Sequence, residues 1–258
     1  MTVKGDLAGN PDDVGAARMP RGDDPVPDVS VVVPTYNEAE NVPVLVERLH
    51  AALADVPHEI VVVDDDSPDR TWEVAEALAR VDDRVKVVRR RDAKGLSSAV
   101  VAGMLVASGR TLAVIDADLQ HDEAVLPEMV ARALAGADVV VASREAEGGG
   151  YGTWNRRRRF ASWVATKLAH VATRTKVTYP MSGYFVITRG YFEATVDEVN
   201  PRGFKILLEF LTRGSPSRVE EVGYEFRERL HGETKFSSSV VLEYLVALID
   251  LRTGWVLS

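Results

Sequence analysis

Short runs of mostly apolar, largely β-branched residues recur along the chain. Each is followed by a polar turn and then by a stretch in which apolar residues return every three or four positions. Residues 29–34 (VSVVVP), 59–64 (EIVVVD), 111–116 (TLAVID) and 138–143 (DVVVAS) are of the first kind, and 84–88 is a shorter example. A run without alternation is the pattern of a strand covered on both faces. Residues 42–53, 71–81, 96–108 and 123–135 are of the second kind, with Val42, Leu45, Val46, Leu49 and Leu53 on one helical face. This alternation predicts an α/β fold with a mostly parallel central sheet flanked by helices. Ligands of such sheets bind beyond the carboxyl ends of the strands. Here the predicted strands run out into Pro34-Thr35-Tyr36, Asp64-Asp65-Asp66, Asp116-Ala117-Asp118 and Ser143-Arg144, which stacks polar chemistry on one edge.

Beyond Ser143 the pattern changes. Gly148-Gly149-Gly150 reads as a flexible loop, and Arg156 to Arg159 open a helix running to about Thr173. A strand over 184–188, a helix over 203–213 and a strand pair over 218–229 follow. A polar loop, 230–239, leads to an amphipathic helix over 240–251. Residues 1–28, rich in Gly, Pro and Asp, read as a mobile tail without the apolar core of a signal peptide. No run reaches the roughly 18–20 apolar residues that span a bilayer. The expected organisation is a tail (1–28), one globular domain (29–237) and a C-terminal interface helix (238–258).

Charge narrows the classes. The 258 residues carry 31 Lys plus Arg against 39 Asp plus Glu, a net charge of −8, so no nucleic-acid partner is expected. With no cysteine, disulfide scaffolds, zinc–thiolate sites and thiol nucleophiles are excluded. Neither G-x-G-x-x-G nor a P-loop sequence occurs, which argues against dinucleotide and P-loop nucleotide sites. The five histidines show no ligand spacing, and His121 reads as a surface residue.

Three clusters carry candidate chemistry. Asp116 and Asp118, spaced i, i+2 at a strand end, can both reach one hard cation that keeps positions for substrate phosphates. Four arginines from Arg156 to Arg159 oppose a helix dipole and so invite an anion; the aromatic and aliphatic face behind them suits an anionic membrane surface. An ordinary core-packed helix with a solvated basic start is the alternative. The stretch RERLHGETK (227–235) is either a surface hairpin loop or a flap that brings Arg229 and Lys235 onto a phosphate.

VVVPTYNEAENV, VVVDDDSPDRTWEVA, KGLSSAV, VIDADLQH, ASR, PMSGYFV, GFKILLEFL and RLHGETK occur in this order between Val29 and Lys235. Together they resemble the dolichol-phosphate mannose synthases, the polyprenol-phosphate mannosyltransferases among the family 2 glycosyltransferases. The resemblance implies a GT-A fold for residues 29–237. It implies inverting transfer of mannose from GDP-mannose to dolichyl (polyprenyl) phosphate, with Mg2+ or Mn2+, at the cytoplasmic face of a membrane. By that likeness Pro34, Tyr36, Glu38 and Asp65 hold the nucleoside, Asp116 and Lys235 complete the nucleotide site, and Asp116, Asp118 and Gln120 hold the metal. Asp118, Arg144 and Arg229 are the implied catalytic positions, and Arg158 and Ser162 the lipid-phosphate site.

The chain departs from the pattern at Glu145, where Tyr is usual, and at Tyr179, where Asp is common; GETK replaces GESK. Many relatives continue into transmembrane helices, so a soluble form, one with a membrane-protein partner and a truncated form all stay open. A UDP-glucose-dependent polyprenyl-phosphate enzyme, a non-catalytic nucleotide-sugar subunit and a soluble nucleotidyltransferase are the competing readings.

Overall fold

The computed structural model describes residues 25–150, 166–170, 177–201, 203 and 205–227. Among them seven strands form one sheet: β1 (Val29–Thr35), β2 (His58–Asp64), β3 (Val85–Arg89), β4 (Thr111–Val114), β5 (Val139–Ser143), β6 (Phe185–Thr188) and β7 (Val219–Gly223). Their order is β3-β2-β1-β4-β6-β5-β7. All pairings are parallel except those of β6, which lies antiparallel between β4 and β5. Two antiparallel steps restore direction, so every strand but β6 points its carboxyl end at the same edge. The chain winds outward from β1 to β3, then returns to place β4 on the other side of β1. That reversal is where open α/β sheets form their ligand crevice.

The continuous apolar runs make the strands because both faces are covered. On β1, Val29, Val31 and Val33 join one core with Leu45, Leu49, Ile60 and Met129, while Val32 joins the other with Met104, Phe185 and Phe210. The first face is covered by α1 (Asn41–Ala52), α2 (Thr71–Ala79) and α4 (Leu126–Leu134). The second is covered by α3 (Leu96–Val106), α5 (Arg189–Thr195) and α6 (Ile206–Arg213). Helix α3 approaches so closely that a Cβ at Gly103 would lie 2.5 Å from a Val32 methyl. At the edge opposite the polar turns, buried Glu59 accepts from Ser30 Oγ (2.6 Å), Ser108 N–H (2.6 Å), Ser108 Oγ (2.8 Å) and Lys86 Nζ (2.7 Å). Burial alone would raise the Glu59 pKa, but these donors outweigh it and hold it low.

Several expectations change. Of the strand pair expected over 218–229, residues 218–227 are described and hold one strand, β7, added parallel to β5, with a bridge past it joining Glu225 to Gly150. That bridge, with Gly150 N–H donating to Tyr224 O and Phe226 N–H to Gly150 O, makes the triple-glycine segment a pinned turn rather than a flexible loop. Helix α5 was not expected; Thr188 caps it by accepting from Tyr191 N–H. The helix expected over 123–135 begins as a 3-10 turn, Glu123–Val125, before α4. Of the helix expected from Arg156 to Thr173, residues 166–170 are described and are helical. The rest of it, residues 1–24 of the tail, loop 230–239 and helix 240–251 lie outside the described residues.

Candidate active site

The turns after β1 and β2 are built as one unit. Backbone N–H groups of Asn37, Glu38 and Ala39 donate in succession to Ser67 Oγ (3.0 Å), Thr71 Oγ1 (2.9 Å) and an Asp69 carboxylate oxygen (3.1 Å). Asn37 and Asp66 turn the two loops with φ of 58° and 53°, and short polar residues are the ones that tolerate that region. Fully buried Asp64 accepts from Thr35 Oγ1, Ser67 N–H and Ser67 Oγ; burial raises its pKa and these donors oppose the rise. Asp64 is thus the internal brace of this rim. Pro34 is buried in β1, Tyr36 stands exposed at the tip, and the Glu38 carboxylate accepts from Asn41 Nδ2 (2.6 Å). Asp65 is buried, with one oxygen on Arg90 Nε (2.7 Å) and the other on Gly95 N–H (2.8 Å). It therefore sets the start of α3 as well as reaching the edge.

Asp116 lies two residues past β4 and its side chain is 35% exposed. Asp118 is half-buried. Between Asp118 and Gln120, buried Leu119 has φ of 61°, an uncommon conformation for a bulky residue that the surroundings must enforce. This reversal aims the Gln120 amide at Arg227: Gln120 Nε2 donates to Arg227 O (3.2 Å), and Arg227 N–H donates to Gln120 O (2.8 Å). The Arg227 guanidinium binds Asp122 (2.7 Å) and Glu123 (2.8 Å). Gly183 lies against the Asp116 carboxylate, and a Cβ there would overlap it.

His121 is not a surface residue. It is 4% exposed, with Nδ1 2.7 Å from Tyr224 Oη, Nε2 3.3 Å from Asp116 Oδ2, and ring contacts with Tyr184, Tyr224 and Phe226. Burial raises the pKa of the Tyr224 phenol, so its hydroxyl stays protonated beside the imidazole.

Arg144 leaves β5 and is buried. Its guanidinium donates to Tyr179 Oη (2.7 Å) and lies over two rings, with Cζ 4.3 Å from the centre of Tyr179 and 4.5 Å from that of Phe226. Lys205, just before α6, completes the group. Burial lowers its pKa to about 8, with Asp116 pulling it up and Arg144 pushing it down.

One sheet edge thus brings together Pro34, Tyr36, Glu38, Asp65, Asp116, Asp118, Gln120 and Arg144. Arg158, Ser162, Arg229 and Lys235 lie outside the described residues. His121, Arg90, Tyr179 and Lys205 were missed as site residues. Lys205 sits inside GFKILLE, and an isolated lysine between apolar residues was the available signal. Among the described residues no cluster of three or more His, Asp and Glu side chains is gathered around a cation position. The oxygen donors of Asp116, Asp118 and Gln120 are of the kind a hard cation would take together with substrate phosphates.

The glycosyl transferase family 2 model matches residues 30–196. The chain belongs to that family. Among its relatives is the dolichol-phosphate mannosyltransferase of Pyrococcus furiosus, 43% identical over 84% of this chain and 61% of that protein. That of Saccharomyces cerevisiae is 35% identical over 86% of each. The chain thus spans less than two thirds of the archaeal relative's length. In structure it is similar to glucosyl-3-phosphoglycerate synthase from Mycobacterium tuberculosis, solved with Mn2+, UDP-glucose and phosphoglyceric acid. The TM-score is 0.66 at 19% identity, covering 87% of this chain and 79% of that one. At that identity the likeness is one of fold, and it agrees with the GT-A arrangement. Among the described residues no helix is long and apolar enough to cross a membrane.

Proposed function

We propose that this chain is an inverting mannosyltransferase that moves mannose from GDP-mannose to dolichyl or another polyprenyl phosphate, releasing GDP. The observation that carries the reading is the placement of Asp116, Asp118 and Gln120 after β4 and of Arg144 after β5, at the same edge of the sheet. The curated mannosyltransferase relatives support it. In this reading Pro34, Tyr36, Glu38 and Asp65 line the nucleoside pocket. Asp116, Asp118 and Gln120 would hold Mg2+ or Mn2+, which would supply positive charge against the leaving diphosphate.

The nucleophile is an oxygen of the lipid phosphate. It bonds to the anomeric carbon from the face opposite the breaking bond, and that bond's electron pair leaves with the β-phosphate of GDP. Phosphate monoesters lose their second proton near pH 6, so the attacking oxygen needs no strong base. The protein's task is positioning two anions against their mutual repulsion. Arg144, Arg158, Ser162, Arg229 and Lys235 supply the cationic and hydrogen-bonding groups. The acceptor's tail places the work at a membrane surface, and a cytosolic nucleotide sugar places it on the cytoplasmic face. Whether a membrane-protein partner is engaged belongs to the same experiment.

That experiment follows labelled mannose from GDP-mannose into organic-extractable polyprenyl phosphate, with Mn2+ or Mg2+ and with chelator. Metal-dependent transfer that falls about a hundredfold or more in Asp118→Ala is the expected outcome. Tight metal-dependent GDP binding without transfer would point to another acceptor or a missing partner. Absence of GDP binding would sink the donor assignment and favour UDP-sugars.

A further inference from the structure

We infer that His121 is a positioning residue for Asp116, holding one carboxylate oxygen through its Nε2 so that the carboxylate is oriented toward a divalent cation. This rests on the reading of Asp116 as a metal ligand given above.

His121 lies beyond the reversal at Leu119, and its ring comes back to the carboxylate, with Nε2 3.3 Å from Asp116 Oδ2. A carboxylate offers only acceptors, so the imidazole N–H is the donor. The ring is held in that orientation from behind. Nδ1 is 2.7 Å from Tyr224 Oη, and Tyr184 and Phe226 meet the ring edge to face, with centroids 5.3 Å and 5.5 Å away. The imidazole is buried while the Asp116 side chain is partly exposed, so the pair runs from the interior out to the sheet edge. On its other flank the carboxylate meets Gly183, where a Cβ would overlap it. Asp116 is therefore confined between an imidazole and bare backbone.

The support reaches back to β7. Tyr224 N–H donates to Ser143 O at 3.4 Å, and Tyr224 O accepts from Gly150 N–H at 3.1 Å. Three residues on, Arg227 N–H donates to Gln120 O at 2.8 Å and Arg227 O accepts from Gln120 Nε2 at 3.2 Å. Residues 224–227 thus set two members of the donor group, Asp116 through the His121 ring and Gln120 through the Arg227 backbone. A hydrogen bond that orients a ligating carboxylate is worth about ten- to a hundredfold in metal affinity.

The test uses the full chain and the variants His121→Phe, His121→Asn, His121→Gln and Asp116→Asn. It reads Mn2+ affinity in the presence of GDP from the free-ion signal in electron paramagnetic resonance, GDP binding in chelator, and the thermal midpoint. Phenylalanine keeps a ring and removes both nitrogens. The amide nitrogen of asparagine falls near the place of Nδ1, so it can meet Tyr224 but not Asp116. That of glutamine falls near the place of Nε2 and can meet Asp116. We expect His121→Phe and His121→Asn to weaken Mn2+ binding by about ten- to a hundredfold, and His121→Gln to retain most of it. GDP binding in chelator should be unchanged in all three. If Asp116→Asn weakens Mn2+ binding but His121→Phe and His121→Asn do not, or if His121→Gln loses as much as they do, the positioning role is overturned while the reading of Asp116 stands. Losses that follow the thermal midpoint rather than the place of the amide nitrogen overturn it too, because they are those of a core residue. If Asp116→Asn binds Mn2+ as the unaltered chain does, the reading of Asp116 fails and the inference fails with it.

Discussion

Gly183 shows how little room the Asp116 carboxylate has. A methyl group there would occupy the position of the carboxylate oxygens, so alanine must push the Asp116 side chain aside. Gly183→Ala is expected to weaken metal-dependent GDP binding by about tenfold or more while leaving the sheet intact. Isothermal titration with and without chelator, beside circular dichroism, checks this; unchanged binding would mean that Asp116 is not a ligand in that rotamer. Residues like Gly183 and His121 were hard to read from sequence for a common reason. Each has its meaning from a partner far along the chain: Gly183 from Asp116, and His121 from Tyr224, 103 residues away. The i, i+2 carboxylate pair was legible because both members sit in one turn. The contact of Arg144 with Tyr179 was not, because nothing in ASR or in TYPMSG names the other segment.

At the scale of elements, α1 and β2 are joined by a pair of histidines. His50 Nδ1 lies 2.8 Å from His58 Nε2, and His58 Nδ1 bonds Val56 O at 2.7 Å. Burial lowers the His50 pKa, and the charges of Arg84 and His58 lower it further against the pull of Asp82. A histidine with a depressed folded pKa takes up protons more readily when unfolded. It therefore contributes stability that is present above the unfolded value near 6.5 and is lost as pH falls through the folded value. Urea unfolding at pH 7.5 and 5.5 is expected to show a lower midpoint at pH 5.5, with the difference reduced in His50→Gln. An equal difference in the variant would place the acid sensitivity elsewhere. The elements themselves were largely legible, since VSVVVP and EIVVVD admit little but doubly covered strands. The orientation of β6 was not, because FVIT reads the same in either direction. Nor was the single-strand character of 219–223, whose half-buried VEEVG looks like half of a hairpin.

For the whole molecule, the candidate site draws on the exits of β1, β2, β4, β5 and β7 and the entry to β6, so a bound nucleotide would tie together segments that span the sheet. With Mn2+ and GDP at a hundred times its Kd, linkage adds about 2.7 kcal/mol. In a chain of this size that is roughly 5–10 °C in thermal midpoint. Chelator is expected to remove most of the shift. A shift of equal size with chelator would separate nucleotide binding from the carboxylate pair and leave Asp116 and Asp118 another role.

The antiparallel placement of β6 between β4 and β5 also bears on synthesis. A chain leaving the ribosome can pair β1, β2, β3 and β4 as soon as residue 114 is out, since those strands are mutual neighbours. β5 follows by residue 143 but has no place to dock, because its neighbour toward the centre begins at residue 185. During that interval Val139 to Ser143 is a nascent apolar segment facing an unfinished sheet edge, the kind of species that invites mispairing. The newborn protein therefore completes this edge late, when Phe185 to Thr188 close the gap from the middle and Val219 to Gly223 then add beyond β5.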